Sequence, residues 1–285
     1  LVEADPLAPA LFAIKLGLYG SALLAAGLGL HASLNIIARK DRSRALRTAT
    51  VAGLFALVFA ALRLGLANLQ LSGANALLDP STLSWTWPAL GPTSTAIAVG
   101  AVAMAAGWLL RSSIATVIGA IAFAISFGLT GHTQALESPA LAPWAVAAHA
   151  LIAAFWFAGP ITLWPARNLE EATLTARVTR FSNFAVAAVP ALFALGLWLA
   201  LLLAGGWTAL LTSLYGQLLI AKLVAASFAL ALGAYNKSVA TGRLQTALEA
   251  GQRALRLTLS LDAALFLIAL GAVAAATSLT GSPSP

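Results

Sequence analysis

The chain has 285 residues, of which 60% are hydrophobic and only 9% are charged, and its formal net charge is +7. One soluble core cannot bury so many apolar side chains, so the composition excludes a soluble globular domain and indicates an integral membrane protein. The chain has no cysteine, which excludes disulfides and thiolate metal sites. The excess of basic residues is interpreted from their positions relative to the membrane-spanning segments, and no nucleic-acid partner is expected.

Eight segments are apolar over about the 20 residues that a membrane-spanning helix needs. We therefore predict an all-α integral membrane protein, with residues 1–285 forming a single domain that is a bundle of eight transmembrane helices. The predicted spans are approximately residues 10–37, 48–71, 93–110, 114–130, 143–166, 181–205, 214–236 and 254–279. Pro160 and Pro190 fall inside the fifth and sixth spans, where kinks are expected.

The basic residues alternate between one side of the predicted bundle and the other. Residues 39–47, Arg111, residues 167–180 and residues 236–256 together hold 13 of the 16 Lys and Arg residues. The other connections and the two tails hold none. By the positive-inside rule the basic segments are cytoplasmic, so both termini are predicted to lie outside.

Ionisable residues within spans are costly in a bilayer and are candidates for function. Counted at about 1.5 Å per helical residue, four of them lie at similar depth in the outer third of the membrane. These are Lys15, Arg63, His149 and Lys222.

Three further polar residues lie elsewhere in the spans. Asp262 is about two turns into the last span, where we expect an ion pair with Arg256 or with a cation on another helix. His31, near the inner end of the first span, is interpreted as a hydrogen-bonded packing residue. Trp156 shares a face of the fifth span with His149, two turns away.

Two of the three histidines, His132 and His149, flank the connection between the fourth and fifth spans. Short connections join antiparallel neighbours, so these imidazoles are predicted to approach each other near the outer surface. Imidazole suits copper, zinc and iron, and it is the natural metal ligand in a chain without thiols. We predict a metal site at this pair, with hydrogen-bonded packing as the alternative. Candidate additional ligands are Glu137, Asp79 and Met104.

The second half of the chain resembles a known family of membrane proteins. Four segments resemble, in order, the last four spans of the copper resistance protein D (CopD) family: "AAHALIAAFWFAGPITLW" (147–164), "RFSNFAVAAVPALFALGLWLALL" (180–202), "SLYGQLLIAKLVAASFALALGAYNK" (213–237) and "LTLSLDAALFLIALGAVAAATSLTGSPSP" (257–285). "GHTQAL", before them, resembles the family's Gly-His at the end of its fourth span. The resemblance is best over residues 140–285, and its most specific part is Tyr215, Gly216 and Lys222, followed by Asn236.

The resemblance implies a multi-pass protein of the bacterial inner membrane that handles copper together with a periplasmic copper-binding protein of the CopC type. Carried over by position, it assigns roles to His132, His149, Trp156, Gly159, Tyr215, Gly216, Lys222 and Asp262, the last standing where the family commonly has Glu. We group Trp156, Arg63, Tyr215, Lys222, Asn236 and Asp262 as pathway or structural polar residues.

Three functions are compatible with these features. The first is a transporter, rather than an enzyme, that acquires copper at the periplasmic face through His132 and His149 and imports it. The second is a transmembrane electron carrier or cupric reductase that binds haem b, with Arg63 and Lys222 neutralising the propionates. The third is a membrane partner of a periplasmic copper protein that does not transport. The lack of sulfur ligands and the cations near His149 oppose a simple copper channel.

Overall fold

A computed structural model describes residues 6–73, 79–129, 141–165 and 171–278. Every regular element in these ranges is helical, which confirms the all-α prediction. The helices are α1 (Ala8–Ser33), α2 (Arg39–Ser72), α3 (Pro80–Leu109), α4 (Ser113–Gly128), α5 (Ala142–Phe157), α6 (Gly159–Thr162), α7 (Glu171–Ala204), α8 (Trp207–Thr212), α9 (Leu214–Tyr235), α10 (Thr241–Thr246) and α11 (Leu248–Ser278). A π-helical turn, Asn236–Ala240, connects α9 to α10.

Seven helical segments in the described ranges are long and apolar enough to cross a membrane. They are Ala8–Ser33, Arg39–Leu71, Pro80–Leu109, Ala142–Thr162, Glu171–Ala204, Leu214–Leu244 and Leu248–Ser278. The helix α4 is also apolar but has only 16 residues, about 24 Å of helix against a hydrocarbon core of about 30 Å. The protein is therefore a multi-pass helical membrane protein, whereas the count of eight spans and the side of the termini remain predictions.

Several helices extend beyond the predicted spans into polar sequence. The helix α2 begins at Arg39 rather than at residue 48, and α7 begins at Glu171 rather than at residue 181. The helix α3 begins at Pro80, so residues 80–92, predicted to be an outer connection, are helical. Hydropathy marks the apolar part of a helix, whereas backbone hydrogen bonding continues through polar residues because many of them are good helix formers.

The two prolines predicted to kink spans have different effects. The fifth predicted span is divided at Ala158 into α5 and α6, and Pro160 lies in the first turn of α6, where a missing N–H is tolerated. Pro190 lies inside α7, which continues through it to Ala204. Because Pro190 has no N–H, the carbonyl of Val186, four residues earlier, loses its usual helical donor.

The helix α1 packs against α2, α4, α5 and α11 and so lies at the centre of the bundle. Its contact with α5 is close because a side chain at Gly27 would collide with the carbonyl of Ala154. The helix α5 also packs against α4, as the short connection predicted, and Gly128 of α4 faces the carbonyl of Pro143. These backbone contacts fix the helix that carries His149.

Candidate functional site

The four ionisable residues predicted at similar depth line one cavity of about 430 Å³, here called the outer cavity. Lys15 comes from α1, Arg63 from α2, His149 from α5 and Lys222 from α9. Most of the remaining wall is apolar, and Tyr215 is part of it. No Asp or Glu of the described ranges lines this cavity. The four side chains thus share one cavity that is rich in basic groups, while their depth in the membrane stays a prediction.

His149 is held between two other helices. Its Nε2 lies 3.4 Å from Nζ of Lys222 on α9, and Nε2 accepts because an ammonium group can only donate. The ring also interacts with the backbone of Leu192 on α7. Gly196 of α7 lies against the ring, since a Cβ there would be 3.1 Å from Cε1 of His149. The electron pair of Nε2, which a metal would use, is therefore engaged by the Lys222 amine.

Lys15 is almost fully buried, with 6% of its surface exposed. Its Nζ donates to the carbonyl of Thr277, in the last turn of α11. Carbonyls in a last helical turn lack intrahelical donors, and the helix dipole favours a cation there. Lys15 therefore stabilises the end of α11 while its amine lines the outer cavity.

Only one member of the predicted histidine pair, His149, lies within the described residues. His132 and Glu137 lie outside the described residues, so their position relative to His149 stays a prediction. Within the described ranges, no group of three or more His, Asp or Glu side chains is arranged to hold a metal ion.

The other two candidate ligands lie away from His149. Asp79 is the N-cap of α3, where it accepts from the backbone N of Ser81 at 3.0 Å and from its Oγ at 2.5 Å. These hydrogen bonds lower the pKa of the Asp79 carboxyl below its ordinary value. Met104 is fully buried beside Gly29 and Thr116 and does not line the outer cavity.

A second cavity of about 250 Å³, here called the inner cavity, lies toward the basic segments. Trp156, Pro190, Asn236, Lys237 and Asp262 are among its lining residues. Nε1 of Trp156 donates to Oδ2 of Asp262 over 3.2 Å, and both side chains are buried. The other carboxylate oxygen, Oδ1, makes no hydrogen bond with the described residues.

The expected pairing of Asp262 with Arg256 is not observed. Arg256 instead donates to the carbonyl of Pro165 at 3.1 and 3.3 Å. Asp262 and Arg256 are six positions apart on α11, which places them about 120° apart around the helix axis and facing different neighbours.

Asn236 opens the π-helical turn after α9 and is bonded to α11. Its Oδ1 accepts from Oγ1 of Thr258 at 2.6 Å. Turns of this kind are often found at functional sites because the extra residue interrupts the regular helical bonding.

His31 has the packing role expected for it. It is fully buried, and its Nδ1 lies 2.8 Å from Oγ1 of Thr162, while its Nε2 lies 2.8 Å from the carbonyl oxygen of Phe155. Both ring nitrogens are used, so His31 has no free nitrogen for a haem iron. The described residues give no support for a haem site.

Small residues beside the functional side chains were not identified from sequence. Gly196 contacts His149, and a Cβ at Gly233 would lie 3.0 Å from Cζ2 of Trp156. Glycine in an apolar span signals close helix approach, but with 23 glycines in the chain the sequence does not show which ones face the site.

The described helices and their buried ionisable residues define a multi-pass α-helical membrane protein. Residues 175–276, from α7 to α11, match the family model of copper resistance protein D (CopD). This part of the chain, about a third of its length, is thus similar to a protein family related to copper resistance. No significant match was found among curated proteins or among solved structures. Lys222, Asn236 and Asp262 lie within the matched residues, whereas His149 and Trp156 precede them.

Proposed function

We propose that this protein acquires copper at the periplasmic face of the bacterial inner membrane and imports it. The observation that carries the proposal is the position of His149, which lines the outer cavity on a helix that also reaches the inner cavity. His149 and Trp156 are seven residues apart on one face of α5, about 10 Å along its axis. One helix face thus supplies a copper ligand and leads toward the basic side.

The cations around His149 set the kind of binding that this cavity supports. The amine of Lys222 lies against the ring nitrogen that a copper ion would use, and Lys15 and Arg63 line the same cavity. A copper ion at His149 would displace the Lys222 amine and would be repelled by its neighbours. Ion passage requires binding weak enough for the ion to leave, so this arrangement suits transit better than storage.

The proposal assigns His132 as the second imidazole and a periplasmic copper-binding protein of the CopC type as the donor of copper. Both follow from the family resemblance and from the placement of the basic segments on the cytoplasmic side. Glu137, on the predicted outer connection, is a candidate further oxygen ligand, whereas Asp79 serves as the N-cap of α3. The lipid bilayer is the protein's other partner.

The test compares the two proposed ligands, His149 and His132, with His31, for which the opposite behaviour is expected. His149→Ala and His132→Ala should reduce copper binding by purified protein and copper accumulation by cells or vesicles, with little change in thermal stability. His31→Ala, which breaks two buried hydrogen bonds, should lower the thermal stability and leave copper binding in place. Unchanged accumulation in both His149→Ala and His132→Ala would contradict import.

Copper binding without accumulation would instead favour the membrane partner that does not transport. A Soret band in the visible spectrum of the purified protein would favour the haem-binding electron carrier.

A further inference from the structure

Asp262 lines the inner cavity with a buried carboxyl group that no side-chain cation of the described ranges neutralises. Copper acquisition at His149 gives this group no role. Only 4% of its surface is exposed, and among the described residues its one donor is the indole N–H of Trp156. A buried carboxylate loses its hydration, and one neutral donor does not replace it. Such a group is stable only if a proton or another cation is bound to it.

No side chain of the described ranges supplies that cation. The one ion pair found there joins Arg177 to Asp41, elsewhere in the bundle. Lys237 lines the inner cavity but is exposed and forms no ion pair with Asp262. The other ionisable residues on the elements around Asp262 do not line the cavity: Lys15, His31, His149, Glu171, Arg177, Arg180, Lys222, Arg243, Glu249, Arg253 and Arg256.

Two interruptions of regular helix meet at the same cavity. Pro190 and Val186 both line it, and the carbonyl of Val186 lacks a helical donor because Pro190 has no N–H. Asn236 lines it from the π-helical turn. Irregular backbone at membrane depth is tolerated where it is buried in protein or lines a space that holds water. A volume of about 250 Å³ has room for several water molecules.

We propose that Asp262 is a proton-exchange site served by the inner cavity. The proton is carried on Oδ1, the oxygen without a donor, while Oδ2 keeps its bond from Trp156. On release, the O–H bond of the acid breaks, the proton passes to cavity water, and the carboxylate remains bonded to the indole. Lys237 is exposed at the basic end of the same cavity, so water there connects Asp262 to the cytoplasmic side.

A proton fits the geometry better than a metal ion. Hard cations such as Mg²⁺ and Ca²⁺ need six or more oxygen ligands, but Oδ2 of Asp262 is occupied by Trp156 and Oδ1 of Asn236 by Thr258. Cu(I) prefers soft ligands, which this cavity does not offer. A proton needs only the one free oxygen. This proposal requires no copper at His149, so the two proposals can fail separately.

The test is infrared difference spectroscopy of the purified, copper-free protein across a pH titration. The wild type should show a carbonyl stretch of a protonated carboxylic acid that shifts in D₂O and is lost as the pH rises. Asp262→Asn should lose this band, and Asp262→Glu should keep it at a changed frequency. Asp41→Asn is the matched control, because Asp41 is paired with Arg177, and it should leave the band unchanged.

The wild-type titration needs no variant, so it decides the matter even if Asp262→Asn fails to fold. Absence of a pH-sensitive band in the wild type, or its persistence in folded Asp262→Asn, would overturn the proposal. Loss of the band on addition of NaCl at constant pH would overturn it in favour of an alkali-metal site.

Discussion

The indole N–H of Trp156 reaches Oδ2 of Asp262 across 3.2 Å and so joins α5 to α11 inside the bundle. The same α5 carries His149, whose Nε2 lies 3.4 Å from Nζ of Lys222 on α9. Asp262 and Lys222 belong to the residues that match the family model, whereas Trp156 and His149 precede them. The helix α5 is thus bonded to the family-matched helices at each cavity.

Replacing Trp156 by Phe should destabilise the protein. The change removes the only hydrogen bond found to Asp262 in the described ranges, and an unsatisfied buried polar group costs about 1–3 kcal/mol. Thermal unfolding in detergent measures the effect. Trp144→Phe is the control because 64% of Trp144 is exposed, and a change at such a site should stay within about 0.5 kcal/mol. Equal stability of the two variants would show that the bond to Asp262 contributes little.

Replacing Lys222 by Leu, which removes the charge without adding a sulfur ligand, should strengthen copper binding at His149. Two unit charges about 4 Å apart repel by about 4 kcal/mol at an effective dielectric constant of about 20, and each 1.4 kcal/mol is about tenfold in affinity. We therefore expect at least a tenfold lower Kd for copper, measured by competition with a chelator. Lys237→Leu, which removes an exposed cation at the basic end, should change the Kd little. An unchanged Kd in Lys222→Leu would argue against His149 as a ligand.

Gly196→Ala should disturb His149 without unfolding the protein. The added Cβ would lie 3.1 Å from Cε1 of the imidazole, so the ring must shift by a few tenths of an ångström. If His149 is a ligand, we expect weaker copper binding with little change in thermal stability. Gly271→Ala is the matched control, because nothing lies within 4 Å of a Cβ there and alanine favours the helix. Weaker binding in both variants would point to a general effect of the substitution.

Asp79→Asn should reduce the acid sensitivity of the protein. Hydrogen bonds from Ser81 hold the pKa of Asp79 below its ordinary value of 3.8, so they stabilise the fold at higher pH. That stabilisation is lost as the pH falls through the lowered pKa. Asparagine keeps the N-cap but does not titrate, so the variant should show a smaller fall in Tm between neutral pH and about pH 3. Ser81→Ala, which removes the Oγ donor, should also reduce the fall in Tm between neutral pH and about pH 3.

The helical fold could largely be predicted because apolar segments and the charged residues between them mark the helices of a membrane protein. The ends of helices were predicted less well. The segment from Pro80 to residue 92 contains Pro88 and is polar enough to suggest a connection, yet it is helical. Its contact with α2 helps to explain this, since Oγ1 of Thr86 donates to Oδ1 of Asn68 at 2.5 Å. A tertiary bond of this kind is not visible in local sequence.

The sequence indicated which ionisable residues lie near one another but not how they pair. Counting the helical rise placed Lys15, Arg63, His149 and Lys222 at one level, and in the structure they line one cavity. Depth alone does not say which helices are neighbours, so the Trp156 bond to Asp262 could not be found from a single sequence.

The 16 residues of α4 have a consequence for the surrounding lipid. A helix of about 24 Å is shorter than a hydrocarbon layer of about 30 Å, so the bilayer beside it is expected to become thinner. Thinning on the flank of α4 would bring the outer water layer closer to α5, which packs against α4 and carries His149. If copper is acquired at His149 as proposed, the bilayer itself would shorten the distance that the ion travels to reach this imidazole.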